Sequence, residues 1–202
     1  TRVELSLEMF ELEGDLRLGD VTAQSVLETD ASDQLRPGPY FARIGELRIE
    51  PSLANDFLPD GTLTVDVTTE LALGGDLERT SFRTETRLGD AGTIETFGHV
   101  GLDEGRPKYD AAIRISELAA ERIGRFGQPP AKLNAAAALH GDGTDPREAE
   151  IDLSAAIWES TVSSVQIRAM YAQAELADGR AQLRRFALDS SHLLAQARAR
   201  AG

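Results

Sequence analysis

Leu63-Thr-Val65-Asp66-Val67-Thr68-Thr69-Glu70-Leu71-Ala-Leu73-Gly74-Gly75-Asp76 alternates from its first residue to its closing turn. Leu63, Val65, Val67, Leu71 and Leu73 share one phase, with Thr69 completing it, and Asp66, Thr68 and Glu70 take the other. A period of two is that of a strand with one dry and one wet face. Gly74-Gly75-Asp76 supplies the turn chemistry that ends it. Working outward, the same phrase recurs as Phe10-Glu-Leu-Glu-Gly14-Asp15-Leu16 and as Ala137-Ala-Leu-His-Gly141-Asp142-Gly143, the Gly-Asp pairs lying 61 and 66 residues apart. A strand–turn–strand unit at a near-fixed spacing points to stacked β structure. The chain reads as a single β-repeat domain over 1–202, with units of roughly 1–60, 61–126 and 127–202.

Other runs keep the same period. Leu133, Ala135, Ala137 and Leu139 form one dry phase; Ile151, Leu153, Ala155 and Ile157 form a second; Val165, Ile167, Ala169 and Tyr171 form a third. Asp152, Ser154, Gln166 and Arg168 occupy the wet phase. Met9 and Phe10 are adjacent apolar residues, so a bulge or bend is expected there. Asp178-Gly179 between two alternating flanks predicts a hairpin, and Arg36-Pro-Gly-Pro39 predicts a loop. One helix is expected, capped by Ser116, presenting Leu118, Ala119, Ile123 and Phe126 on one face and stopped by Gly127 and Pro129-Pro130. A shorter turn is expected over Ser52 to Leu58, while His192 to Ala201 suits either helix or strand. The fold class is therefore all-β: a repetitive, mostly antiparallel sheet curled or folded over an apolar interior, groove-like, with one short helix.

Composition excludes several functions. A formal net charge of −13 argues against nucleic acid, whose phosphates call for a basic patch, and against an anionic membrane surface. Arginine outnumbers lysine 19 to 2. Without cysteine there is no disulfide, thiol nucleophile or cysteine metal site. No stretch approaches the ~20 apolar residues that span a bilayer as a helix. The chain opens on a strand pattern without an initiator Met and closes after another alternating run, which reads as a piece of something longer.

Catalytic constellations are weak. His99, His140 and His192 have no metal spacing. Asp189-Ser-Ser-His192 holds triad residue types, but sequence adjacency is not triad geometry. Gly141-Asp-Gly-Thr-Asp145 lacks the ligands of a calcium loop and reads as an Asp-stabilised turn. The many carboxylates fall mostly on the wet phase, although a hydrolytic pair could still be assembled in space. Trp158 and Tyr171 fit a core or rim as well as a sugar platform. The expectation is a non-enzymatic protein without a cofactor; the alternative is a β-solenoid or sandwich module binding carbohydrate or protein.

Tyr109-Asp-Ala-Ala-Ile-Arg-Ile-Ser-Glu-Leu118, Gly127-Gln-Pro-Pro130, Leu133 to Gly143, Glu150-Ile-Asp-Leu153 and Ala174-Glu-Leu-Ala-Asp-Gly-Arg-Ala-Gln-Leu183 together resemble the β-rich repeat body of the TamB and AsmA-like family, the translocation and assembly module proteins. The resemblance covers residues 60 to 202 most closely. The first two Gly-Asp turns carry Leu where that family often has a second Gly, and Arg36 to Leu58 reads as an insertion in its pattern. The resemblance implies a periplasmic protein, anchored to the inner membrane when full-length. It also implies an apolar groove carrying phospholipid or another acyl lipid, and an outer-membrane assembly partner of the TamA kind. On that reading Leu63, Val65, Val67, Leu71, Leu133, Leu139, Ile151, Leu153, Ile157, Val165 and Ile167 face one continuous interior and line the groove. The same stripe would equally serve as an ordinary packed core.

Overall fold

The computed structural model describes residues 2–7, 10–11, 16–29, 35–57, 63–76, 78–103, 105–124, 131–145 and 147–200. They form β1 (Arg2–Leu7), β2 (Phe10–Glu11), β3 (Leu16–Thr29), β4 (Leu35–Ile49), α1 (Pro51–Phe57), β5 (Val67–Gly75), β6 (Arg79–Leu88), β7 (Thr93–Asp103), β8 (Arg106–Ala119), α2 (Ala120–Ile123), β9 (Ala131–Asp142), β10 (Glu150–Val162), β11 (Val165–Ala177), β12 (Arg180–Ser190) and β13 (Leu194–Arg200). All 13 strands belong to one sheet, in sequence order from β1 to β13, with β2 attached to β3. Every pairing is antiparallel. The fold is all-β, and β1 and β13 are open edges, so the sheet does not close into a barrel.

Short turns set the register. Asp178 (φ 52) and Gly179 (φ 68) join β11 to β12 with Ala177 opposite Arg180, the hairpin expected from sequence. Ser163 (φ 54) and Ser164 make an equally tight turn from β10 to β11 without any Gly signal. Gly75 and Gly141, from the second and third Gly-Asp phrases, end β5 and β9 and lie in one cross-strand row, four strands apart. The first phrase, around Gly14-Asp15, lies outside the described residues, as do Met9, Phe126, Gly127 and Pro129-Pro130.

Several local expectations are corrected. Ser116 caps no helix; β8 runs through it to Ala119, and α2 is a single turn of four residues. The alternation Ile113, Ile115 already commits this segment to the sheet, and a bulge at Glu117 (φ 53) returns Leu118 to the face of Ile115. The expected loop Arg36-Pro-Gly-Pro39 lies within β4. Both prolines fall beyond Tyr40, where the β4–β5 ladder stops, so their missing N–H groups deprive no second neighbour. The tail is strand β13, and the expected turn after Ser52 is α1.

Leu63 and Val65 do not belong to the run that contains Val67. β5 starts at Val67, and residues 63–66 cross the end of the sheet instead. Leu63 exchanges hydrogen bonds with the Asn55 side chain of α1, 2.9 Å each way, and bridges to Gly124. The Thr64 amide donates to the Ile123 carbonyl at 2.8 Å, and Asp66 pairs with Arg48. These local partners replace the ladder that unbroken alternation would have used.

A packed core is small. Among the described residues only Leu63, Leu88, Ala91 and Ala149 are buried apolar side chains. The accessible surface is 13421 Å², against about 9,300 Å² for a compact protein of 21.8 kDa. Among the described residues the sheet is a single layer, and no second layer lies against its apolar face.

Candidate functional site

That face is built row by row. Ile44, Leu71, Thr84, Thr96, Ile113, Ala137, Ala155, Ala172, Phe186 and Ala197 are successive cross-strand partners from β4 to β13. Two residues along, Ala42, Leu73, Phe82, Gly98, Ala111, Leu139, Leu153, Ala174 and Leu183 form a parallel row. Directly paired residues project to the same face, so these rows make one apolar surface across the sheet. Many of its side chains remain accessible: Ile113 is 36%, Leu153 43% and Val100 49% exposed.

Nine of the eleven stripe residues share this face: Val67, Leu71, Leu133, Leu139, Ile151, Leu153, Ile157, Val165 and Ile167. Leu63 and Val65 lie off the sheet. The third expected phase is corrected: Ile167 opposes Ser190 while Ala169 opposes Asp189, so β11 carries one extra residue at Arg168. This bulge puts Ile167 with Met170 on the apolar face and sends Ala169 and Tyr171 to the other. Glu159 (φ 42) makes the matching bulge in β10, keeping Ile157 and Ser160 on one side.

Two glycines mark where neighbouring strands approach closely over the apolar face. A Cβ on Gly98 would stand 2.1 Å from the Asp110 carbonyl oxygen, and one on Gly141 2.5 Å from that of Glu150. Both positions belong to the apolar face, so neighbouring backbone rises into the space above it. At β7–β8 and β9–β10 the neighbouring strand thus comes in close on the apolar side, as the Glu78 carbonyl does at Gly101 on the charged side, 2.6 Å from a Cβ there.

Several hydroxyls on this face pair with one another. The Thr69 and Thr86 hydroxyls are 3.1 Å apart, and Thr84–Thr96 and Tyr40–Thr80 also pair. Each pair shares one hydrogen bond, which lowers the cost of covering the two hydroxyls. Sequence reasoning missed this part of the face because β6 carries threonine at most of its inward positions.

The opposite face is charged. Glu70, Glu85 and Glu95 are direct cross-strand neighbours, an arrangement that destabilises unless cations intervene. Arg87 reaches Glu85 at 2.7 Å and Glu70 at 3.3 Å, and Arg83 reaches Glu95 at 3.5 Å. Hydrogen bonding to Glu85, and then its charge, raises the Arg87 pKa. A shallow trough of about 280 Å³ on this face has Ala112, Ala136, Ala138 and Ala156 as floor, with Phe97 and Tyr171 at its ends.

No described group assembles catalytic geometry. His99, partly buried, lies 3.1 Å from Arg79, and His140, exposed, lies 3.3 Å from Asp110, both on the charged face. Asp189 pairs with Arg168 rather than with His192, which instead meets its neighbour Ser191 at 2.7 Å. Asp142 meets Arg106 at 2.6 Å, and Asp145 accepts the Arg147 amide at 2.9 Å, as a turn requires. Among the described residues no cluster of three His, Asp or Glu is placed to hold a metal. A cavity of about 550 Å³ beside α2 contains Arg122–Asp90 and Lys132–Glu117 pairs, at 3.0 and 2.7 Å. The Lys132 ammonium holds the Glu117 carboxyl below the usual range; its own amide and that of Ala131 do the same for Glu121.

No described helix is long and apolar enough to cross a membrane. No protein-family model matches the chain, and neither does any curated protein or solved structure.

Proposed function

We propose that this chain is the lipid-conducting segment of an envelope protein that supports outer-membrane biogenesis. One observation carries the reading: a single apolar surface crosses the sheet from β4 to β13, neighbouring backbone crowds over it at Gly98 and Gly141, and no second layer covers it among the described residues. A soluble monomer rarely leaves so large an apolar patch uncovered. Acyl chains fit a surface of aliphatic side chains, alanines and mutually bonded threonines, each methylene removed from water contributing ~0.8 kcal/mol. Burial of this kind is non-directional, which suits movement along the face better than tight capture. The TamB and AsmA-like resemblance places such a segment in the periplasm, in a longer protein held at the inner membrane and meeting a TamA-like assembly protein.

The test uses positions where folding tolerates the change. Ile113 and Leu153 are already partly exposed, so Ile113→Asp and Leu153→Asp should leave circular dichroism unchanged. Lipid extracted from the protein purified from membranes should fall severalfold in both, and stay unchanged in Asp152→Asn. Equal lipid in all of them would defeat the proposal. A second reading, a carbohydrate or protein module, has the alanine trough between Phe97 and Tyr171 in its favour. Loss of a glycan or protein ligand on Phe97→Ala, with lipid content unaffected by the aspartates, would select it.

A further inference from the structure

Near the open edge the charge balance reverses. In β12 the pairs Leu183–Ala199 and Phe186–Ala197 leave Arg184 and Arg185 opposite the single residue Arg198 of β13. Three guanidiniums thus belong to one step of the ladder in a chain of net charge −13. Arg184 is neutralised, its Nε donating to Glu175 at 2.5 Å. Arg185 has no carboxylate partner among the described residues; its guanidinium carbon sits 5.5 Å from the centre of the Tyr171 ring. Arg198 is exposed and has no ion-pair partner among the described residues either. A cavity of about 340 Å³ lies between Arg185 and Arg198, with Ala187 and Gln196 also on its wall.

We propose that Arg185, Arg198 and Gln196 form a binding site for a phosphate group, on the charged face beside the β13 edge. Like charges facing each other across a ladder destabilise it, and a shared anion reverses the sign. Guanidinium forks match the oxygens of a phosphate, and stacking on Tyr171 orients one fork beforehand. Gln196 adds neutral donors. The site stands on these contacts alone and does not depend on the lipid reading. Free phosphate and a lipid headgroup share the chemistry, and the experiment separates them.

Isothermal titration of the whole chain with inorganic phosphate, and separately with a short-chain phosphatidate below its micellar concentration, reads the site directly. Saturable binding of at least one ligand is expected. Arg185→Gln and Arg198→Gln should each weaken it at least about tenfold, the loss of a charge-assisted contact. Arg147→Gln, on a distant turn, should leave it within a factor of about two. Equal affinity for both ligands assigns the site to phosphate as such, and tighter phosphatidate assigns it to a lipid headgroup. No saturable binding of either in the millimolar range, or binding indifferent to both arginine variants while they remain folded, overturns the proposal.

Discussion

Gly98 and Asp110 lie on adjacent strands so close together that a methyl group on the glycine would stand 2.1 Å from the aspartate's carbonyl oxygen. The contact arises because β8 comes in close on the apolar side of β7. Gly98→Ala therefore forces the two backbones apart. A loss of ~1–3 kcal/mol is expected, as for other overpacked sites, measured by the urea midpoint. An unchanged midpoint would mean that the two strands do not approach so closely here in solution.

The threonine pairs make a distinctive double-mutant prediction. Thr84→Val leaves the Thr96 hydroxyl without its partner and should cost about 1 kcal/mol. Thr84→Val with Thr96→Val removes both polar groups and should return to near wild-type stability. If the two single losses merely add, the hydroxyls are bonded to water and this part of the face is wet.

Stability at acid pH should depend on the corner where β8 meets β9. Glu117 and Glu121 have folded-state pKa values lowered, by Lys132 and by backbone amides respectively. The unfolded chain binds protons first, so their contribution is complete above about pH 4.3 and disappears as pH falls through the lower folded values. Carboxyl titration by NMR should place both below the ordinary glutamate range, and Lys132→Gln should return Glu117 alone to it. Glu117 titrating normally in the wild type would remove the pair.

The Asp178-Gly179 turn has both residues at positive φ, 52° and 68°. Gly179→Val places a β-branched side chain in the left-handed region and should cost ~1–2 kcal/mol. Amide exchange across Ala177 and Arg180 should quicken first. Unchanged protection there would indicate another turn geometry.

How far the sequence could be read follows from these particulars. The strands around Leu71, Leu139 and Leu153 were legible because one phase is aliphatic and the other charged. The hairpin was legible because Asp-Gly favours positive φ. The bulges at Glu117, Glu159 and Arg168 were not, since one extra residue reverses the phase without leaving a compositional mark. This is why Ala169 and Tyr171 were expected on the apolar face, and why Ser116 to Phe126 read as a helix. β6 was invisible for a different reason: its inward positions are Thr80, Phe82, Thr84 and Thr86, which look polar until their cross-strand partners are known. The extent of the apolar face was legible only strand by strand, and its lack of a second layer not at all. The site at Arg185 and Arg198 arises from a bulge and was equally hidden.

Neighbouring residues on opposite faces give the most direct test of the lipid account. A photoactivatable side chain is placed in turn at Ile113 and Leu153 on the apolar face, and at Arg114 and Asp152 beside them on the charged face, in the full-length protein in cells. Crosslinks to lipid from Ile113 and Leu153, and none from Arg114 and Asp152, are the predicted result. A folded, functional protein whose apolar-face positions crosslink only to protein, or no more to lipid than their neighbours do, would contradict it.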